Sequence, residues 1–291
     1  MGRDWAETSP TARKLARDAD EILGFALSKV MFEGGDEELT KTSICQPALY
    51  LHGMMALALV RERLPDFSPP AAAGLSLGEF TAHAAAGTFS FADGLKLVAR
   101  RGELMEQACE ATDGAMAALI GGTEEAVRAL ADTHGVDVAN LNAPGQIVIS
   151  GASAGIDAAV AGAKEAGIRR AIKLNVAGAY HSRLMQSAQD RLAEELAAVE
   201  MREPRVPVVC NFTADVAAGV DAIRENLEKQ VTGSVRWVES VRKLAAMGHT
   251  QFLELGPGRV LAGLVSKIDP SLTVHSIEDL ASLEAAVEAL S

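Results

Sequence analysis

Aromatic residues are scarce in this chain of 291 residues, where phenylalanine, tryptophan and tyrosine together make up 4%. Basic residues are also in the minority, since 27 lysines and arginines compare with 39 acidic residues and the net charge is −12. Broad binding of nucleic acid or of an anionic membrane needs an excess of positive charge, and single-stranded nucleic acid also needs aromatic stacking platforms. The sequence therefore predicts neither a nucleic-acid partner nor a membrane partner.

Cysteine is limited to Cys45, Cys109 and Cys210, and no two of them have the spacing of a zinc motif. An odd number without paired spacing favours a reducing compartment without disulfides. The longest apolar run, around Met54–Val60, is shorter than the about 20 residues of a membrane-spanning helix. The N-terminus also lacks the apolar core of a signal peptide. We therefore expect a cytoplasmic protein with no bound metal.

Short apolar runs alternate with helical patterns along the chain, which favours an α/β fold with a parallel sheet. Strands are predicted at Val206–Phe212, Gln251–Leu255 and Thr273–Ile277. Between residues 114 and 176 the order is strand, helix, strand, strand, helix, strand, the split βαβ pattern of ferredoxin-like domains. We expect an α/β-hydrolase-like large domain over residues 1–112 and 179–291, and an inserted ferredoxin-like small domain over residues 113–178.

The segment Gly74–Gly78 matches G-x-S-x-G, the motif of a nucleophile elbow. A predicted strand, Ala71–Leu75, leads into it, and a predicted helix, Gly78–Ala86, follows it. A sharp turn there exposes the hydroxyl of Ser76, and the helix N-terminus offers the amide of Leu77 to an oxyanion. For the motif alone, a plain glycine-flanked turn remains the alternative interpretation.

A serine nucleophile needs a general base, and the chain contains six histidines. His52 and His83 lie inside predicted helices, which favours a packed or surface position. His181 opens a loop after the small domain, within the segment Gly178–Ser182. By pattern alone, a capping or surface histidine is an equal alternative to a catalytic base at this position.

Seven segments give the chain a resemblance to malonyl-CoA:acyl carrier protein transacylases over nearly its whole length. In chain order, the matching segments are Gln46–Leu49, Gly74–Phe80, Arg100–Gly102, Gly114–Ala118, Asn142–Gly151, Gly178–Ser182 and Glu254–Gly258. So many matches in one order argue against coincidence.

The resemblance implies a catalytic role for four of these positions. Ser76 would be the acylated nucleophile, and His181 the general base and acid. The guanidinium of Arg101 would bind the free carboxylate of a malonyl group, which it matches in geometry as well as charge. The backbone carbonyl of Gln230 would orient His181 in place of a triad carboxylate.

The remaining implied positions concern the acyl group. Gln46 and Asn142 would line the acyl pocket, although a turn residue is an equal alternative for Asn142. Tyr180 would crowd the α-carbon and so favour malonyl over methylmalonyl. The resemblance implies an enzyme of fatty acid biosynthesis that follows a ping-pong mechanism. Its substrates would be malonyl-CoA and acyl carrier protein, it would need no cofactor, and we expect it to be a monomer.

The resemblance is weakest at the N-terminus. Members of the family open with an apolar strand and a Gly-Gln-Gly-Ser-Gln segment, whose glutamine supplies the second oxyanion donor. Here Met1–Trp5 resembles the residues just downstream, so the first strand is absent from the match. We therefore expect low activity or stability from a chain starting at Met1, because losing one oxyanion donor costs about 10²- to 10³-fold in turnover. Leu75, where many members carry histidine, is a minor departure.

Two alternatives to the transacylase follow from these observations. A non-catalytic homologue that binds a carrier protein would explain the absent first strand. A serine esterase or thioesterase would share the elbow, but it needs an acidic residue between the serine and a late histidine.

Overall fold

The computed structural model describes residues 1–290. The helices in this range are α1 (Arg3–Thr8), α2 (Pro10–Leu23), α3 (Leu27–Glu33), α4 (Asp36–Leu39), α5 (Thr42–Arg63), α6 (Leu77–Ala86), α7 (Phe91–Glu110), α8 (Glu124–His134), α9 (Ser153–Gly162), α10 (Gln186–Ala198), α11 (Val220–Lys229), α12 (Trp237–Ala246), α13 (Val260–Ile268) and α14 (Leu280–Leu290). The strands are β1 (Ala72–Ala73), β2 (Gly114–Ile120), β3 (Asp137–Ala143), β4 (Gln146–Ala152), β5 (Arg170–Lys173), β6 (Val208–Val209), β7 (Gln251–Leu255) and β8 (Thr273–Ile277).

Two compact units divide the chain. Unit 1 comprises Met1–Gly102, Val199–Val208 and the chain from Leu244 onward. Unit 2 comprises Glu103–Ala198 and Val209–Lys243. The helices α7 and α12 therefore each begin in one unit and end in the other.

Helix α5 lies at the centre of unit 1. Its buried residues, such as Tyr50, Leu51, Met55 and Leu59, occupy most of its circumference. Such a helix is apolar all round because it packs against other elements on every side. By length and composition alone α5 could also cross a membrane, but the buried core helix of a globular protein meets the same criteria.

The parallel sheet of unit 1 consists of β7 and β8, which pair in register with Gln251 opposite Thr273. Helix α13 connects the two strands, as parallel pairing requires a crossover connection. The carboxylate of Glu254 accepts hydrogen bonds from the amides of Leu261 and Ala262, at 2.8 and 3.1 Å. An anionic side chain at this helix N-terminus is electrostatically favourable. The predicted mixed α/β fold with a parallel sheet is confirmed.

Unit 2 contains a four-stranded antiparallel sheet in the order β3-β4-β2-β5. Alternate residues of β2 point to opposite faces, as the pleat dictates. Ala117 and Leu119 pack in a core cluster with residues of α8 and α9. Met116 belongs to a smaller cluster with Val148, against which Tyr180 packs. Strands and helices follow the order predicted for residues 114–176.

Two predicted strands are shorter in the structure. The segment predicted at Ala71–Leu75 forms only β1, because the backbone turns immediately after Ala73. The segment predicted at Val206–Phe212 forms only β6, because the amide of Cys210 bonds the carbonyl of Asp215 and the chain turns there. Unit 2 is also larger than the predicted small domain, since it includes residues beyond 178, and the predicted domain boundaries stay a prediction.

Candidate active site

Ser76 lies at a sharp turn between β1 and α6. Its backbone has φ 53° and ψ −107°, and a positive φ at a non-glycine residue costs on the order of 1–3 kcal/mol. Gly74 permits the turn, because a Cβ at this position would lie 2.0 Å from the carbonyl carbon of Gly78. The motif therefore lies in a strand–turn–helix context, although the strand has only two residues.

The amide of Leu77 is the first of helix α6. Neighbouring amides are bonded within the turn: that of Gly78 donates to the carbonyl of Leu75 at 2.9 Å, and that of Glu79 to the carbonyl of Ser76 at 3.1 Å. The first N–H groups of a helix have no acceptor within the helix, and the helix dipole adds partial positive charge there. The turn can therefore stabilise negative charge that develops on the carbonyl oxygen of an acyl group attacked by the serine oxygen.

The guanidinium of Arg101 contacts the hydroxyl of Ser76. Its Nη2 donates a hydrogen bond to the serine Oγ at 3.0 Å, and its Nη1 donates to Oε1 of Gln46 at 2.6 Å. The arginine is only 1% exposed, and its charge lies 5.4 Å from the ring centre of Phe80. A buried cationic fork next to a hydroxyl is suited to bind a carboxylate carried by an acyl group on that hydroxyl.

Gln46 determines how this guanidinium is held. Its Nε2 donates to Oγ1 of Thr42 at 2.9 Å, so its Oε1 is left to accept from Arg101. Helix α7 approaches α5 closely at this point, since a Cβ on Gly102 would lie 2.6 Å from the carbonyl oxygen of Thr42. The family resemblance implies a pocket residue at position 46, and the structure adds that Gln46 is a hydrogen-bond partner of Arg101.

His181 belongs to unit 2 and is 4% exposed. Its φ is 55°, so it shares with Ser76 a backbone conformation that is unusual for a residue with a side chain. Its Nδ1 lies 2.8 Å from the backbone carbonyl oxygen of Gln230. Because a carbonyl oxygen only accepts, Nδ1 must carry the hydrogen, and in the neutral ring Nε2 is then the nitrogen that acts as a hydrogen-bond acceptor and as a base.

The loop around His181 is fixed by local hydrogen bonds. The hydroxyl of Ser182 donates to the carbonyl of Ala179 at 2.7 Å and accepts from the amide of Leu184 at 3.2 Å. Immediately after the loop, Arg183 forms an ion pair with Asp137 in which both its amide and its guanidinium donate to the carboxylate. The loop is therefore tied down at its C-terminal end.

Asn142 and Tyr180 lie in unit 2. Asn142 is part of β3 rather than of the turn that follows, and its Oδ1 is buried without a hydrogen-bond partner among residues 1–290. The ring of Tyr180 is half-buried and packs against the cluster of Met116, Ala139 and Val148. Both residues are thus associated with the sheet of unit 2.

The predicted site residues are divided between the two units, four in each. The set in unit 1 consists of Gln46, Ser76, Leu77 and Arg101. The set in unit 2 consists of Asn142, Tyr180, His181 and Gln230. Within unit 1 the structure brings the serine, the arginine and the glutamine into one hydrogen-bonded chain, which no local sequence pattern indicates.

Two histidines in the helices of unit 1 are fully buried. Burial lowers the pKa of His52 to about 4 and that of His83 to about 4. The Nδ1 of His83 lies 3.0 Å from Oγ1 of Thr88, and its ring stacks obliquely on Phe89. These side chains are packed, as their helical positions suggest.

The comparisons with known proteins agree with this geometry. Residues 1–284 match the family model described as acyl transferase domain, so the chain is an acyl transferase by class. It is 43% identical to the malonyl CoA-acyl carrier protein transacylase of Bacillus subtilis (strain 168), over 100% of this chain and 92% of that protein. It is 38% identical to the transacylase of the same name from Escherichia coli (strain K12), over 99% of this chain and 94% of that protein.

Solved structures show the same relationship. The transacylase from Coxiella burnetii has a TM-score of 0.95 at 33% identity, and the match covers 100% of this chain and 93% of that one. A malonyl-transacylase solved in complex with its type II polyketide synthase acyl-carrier protein has a TM-score of 0.93 at 36% identity, covering 99% and 94%. The chain belongs to the malonyl CoA-acyl carrier protein transacylase family, which confirms the resemblance.

Proposed function

We propose that this protein transfers a malonyl group from coenzyme A to the phosphopantetheine thiol of acyl carrier protein, as a step of fatty acid biosynthesis. The observation that carries the proposal is the hydrogen bond from Arg101 to the Oγ of Ser76. A hydrolase of simple esters has no need for a buried guanidinium at its nucleophile, whereas an acyl group with a free carboxylate does. Family membership gives independent support.

In the first half-reaction, Ser76 Oγ attacks the thioester carbon of malonyl-CoA while Nε2 of His181 takes the hydroxyl proton. The oxyanion of the tetrahedral intermediate accepts from the amide of Leu77. The carbon–sulfur bond then breaks, and the imidazolium returns its proton to the coenzyme A thiolate. A malonyl ester of Ser76 remains.

In the second half-reaction, His181 removes the proton from the phosphopantetheine thiol of the carrier protein. The sulfur attacks the ester carbon, the carbon–oxygen bond to Ser76 breaks, and the serine oxygen regains a proton from the imidazolium. Throughout both steps the carbonyl of Gln230 keeps the hydrogen of His181 on Nδ1, which leaves Nε2 as the working nitrogen.

Acyl selection follows from the groups around the ester. Arg101 pairs with the malonyl carboxylate, which lies one methylene beyond the ester carbonyl, and Gln46 holds the guanidinium in place. Gln46 and Asn142 line the acyl pocket. Tyr180 crowds the α-carbon and disfavours the extra methyl of methylmalonyl.

The finer features of the fold and the partners belong to the same proposal. The sheet order β3-β4-β2-β5 with its two helices supports a ferredoxin-like small domain over residues 113–178, inserted into an α/β-hydrolase-like domain. We also propose a cytoplasmic monomer whose partners are malonyl-CoA and acyl carrier protein, and which needs no metal or cofactor. The complex of the related malonyl-transacylase with its carrier protein supports the carrier as a partner.

A transfer assay tests this function. The protein is incubated with malonyl-CoA and with holo-acyl carrier protein from a fatty acid system or, in parallel, a type II polyketide system, and the carrier mass is followed. We expect malonylation of the fatty acid carrier by the wild type and none by Ser76→Ala. Release of free malonate without transfer would favour a thioesterase. Carrier binding without any turnover would favour a non-catalytic homologue.

A further inference from the structure

We propose that Cys109, near the C-terminal end of α7, is a positioning residue that holds Tyr180 in its selective orientation. The inference rests on the proposed function, since it concerns how the enzyme chooses its acyl group. Both residues lie in unit 2, and so do the residues that contact them in the observations below.

The first observation is the packing of the loop backbone against the cysteine. A Cβ on Gly178 would lie 2.4 Å from Sγ of Cys109 and 2.8 Å from its Cβ. On another side, a Cβ on Gly114 would lie 2.7 Å from the Cβ of Ala179. The start of the loop therefore fits between α7 and β2, with no room for a larger residue at either glycine.

The second observation is a polar interaction between Cys109 and Tyr180, the residue that follows Ala179. The side chain of Tyr180 is a hydrogen-bonding neighbour of the Cys109 thiol, and this interaction by itself lowers the pKa of the thiol. Burial raises the pKa of this thiol, and the bond to Tyr180 only partly opposes that effect. Cys109 is buried and the pKa of its thiol is raised, so the thiol stays protonated and uncharged near neutral pH.

The third observation is that the tyrosine ring has a second support. The ring packs against Met116 and Val148 on one face of the sheet, while its hydroxyl is held by the cysteine. A side chain held at both the ring and the hydroxyl cannot swing about its χ1 bond without losing one of these contacts. Cys109 thus limits how far Tyr180 can move to admit a branched acyl group.

The proposed catalytic histidine is held by hydrogen bonds that do not involve Cys109, so acyl selection and proton transfer can be tested separately. Nδ1 of His181 is held by the carbonyl of Gln230, and Ser182 closes the loop behind it. Loss of the thiol should therefore weaken discrimination between acyl groups more than it lowers turnover of malonyl-CoA.

The test is a double-mutant cycle on acyl selectivity. The full-length protein and its variants Cys109→Ala, Tyr180→Phe and the double variant are assayed with malonyl-CoA and methylmalonyl-CoA. We expect each single variant to lower the ratio of kcat/KM values for malonyl over methylmalonyl by about 3- to 10-fold, the range of one neutral hydrogen bond. The double variant should lose no more than either single variant, because both remove the same contact.

Three controls complete the experiment. Cys109→Ser, which keeps a hydroxyl partner, should restore most of the selectivity, and Cys45→Ala should leave the ratio unchanged. Unfolding free energies of the same four proteins should also be non-additive, which reports the contact without any enzymatic readout. Additive effects in the cycle, or unchanged selectivity in Cys109→Ala with normal malonyl transfer, would overturn this inference alone. A wild type without malonyl transfer would instead overturn the proposed function.

Discussion

Arg101 donates a hydrogen bond from Nη2 to the Oγ of Ser76 at 3.0 Å. The group proposed to recognise the substrate carboxylate thus directly contacts the proposed nucleophile. This bond uses a lone pair of the serine oxygen and not its hydrogen, so it is compatible with donation of that hydrogen to a base. In the proposed acyl-enzyme, the malonyl carboxylate would replace the serine hydroxyl as the acceptor of this hydrogen bond.

Replacement of Arg101 should change acyl selectivity. Arg101→Ala removes a charge-assisted interaction worth about 1.5–3 kcal/mol, so kcat/KM for malonyl-CoA should fall by about 10- to 100-fold. The value for acetyl-CoA, which has no carboxylate, should change little. Arg101→Lys keeps the charge but not the fork, and its effect should be intermediate. The neighbouring substitution Arg100→Ala serves as the matched control, and an unchanged malonyl preference in Arg101→Ala would refute the assigned role.

His181 and Gln230 should respond very differently to truncation. His181→Ala removes the proposed general base, and serine acylation should slow by about 10²- to 10⁴-fold. Gln230→Ala keeps the backbone carbonyl that bonds Nδ1, so acylation should slow by less than about 10-fold, the factor that corresponds to 1.4 kcal/mol. Rapid-quench measurement of acyl-enzyme formation distinguishes the two variants. If serine acylation in a folded Gln230→Ala variant were as slow as in His181→Ala, the role of Gln230 would not be limited to orienting His181 through its backbone carbonyl.

The two glycines of the elbow should differ in their tolerance of a methyl group. A Cβ on Gly74 would lie 2.0 Å from the backbone of Gly78, whereas a Cβ on Gly78 meets nothing within 4 Å. Gly74→Ala should therefore lower the free energy of unfolding by about 1–3 kcal/mol. Gly78→Ala should be neutral or stabilising by up to about 1 kcal/mol, because alanine favours the helix. Chemical denaturation measures both changes, and equal stability of the two variants would contradict the close approach.

Stability should decrease as the pH falls through the range where the unfolded histidines protonate. The pKa of His83 in the folded protein is about 4, whereas an unfolded histidine titrates near pH 6.5. Between these values the unfolded chain binds more protons, so the folded state loses stability as pH falls from about 6.5 toward 4, by at most about 3 kcal/mol for this group. Full stability is present above about pH 6.5.

The variant His83→Asn tests this assignment. It retains a polar atom near Thr88 but removes the titrating group, so the free energy of unfolding should depend less steeply on pH between 6.5 and 4. Denaturation curves at several pH values measure the slope. An identical slope in variant and wild type would mean that His83 is not buried in its neutral form.

Much of the secondary structure could be predicted because it depends on local patterns. The strands Gln251–Leu255 and Thr273–Ile277 have the predicted bounds, since apolar runs between turn residues define them. Strand length elsewhere could not be predicted, because it depends on where distant hydrogen bonds end: Ala72 donates to the carbonyl of Pro207, and the chain turns soon after on both sides. The four helices before α5 were not predicted; three of them, α1, α3 and α4, have only four to seven residues, too few to show a helical period.

The site was only partly accessible from the sequence. The elbow at Ser76 follows from a local motif, and the roles of Arg101 and His181 came from resemblance to a family. The bonds of Arg101 to Ser76 and Gln46 join residues 25 and 55 positions apart, and no periodicity encodes such contacts. The contact of Cys109 with Tyr180 was missed for the same reason.

Mass spectrometry of the protein after brief exposure to malonyl-CoA tests the central claim most directly. We expect one malonyl group on the peptide that contains Ser76, no malonyl group in Ser76→Ala, and loss of the group from the wild type when holo-acyl carrier protein is added. A malonyl group that maps to another residue, or that persists in Ser76→Ala, would contradict the account.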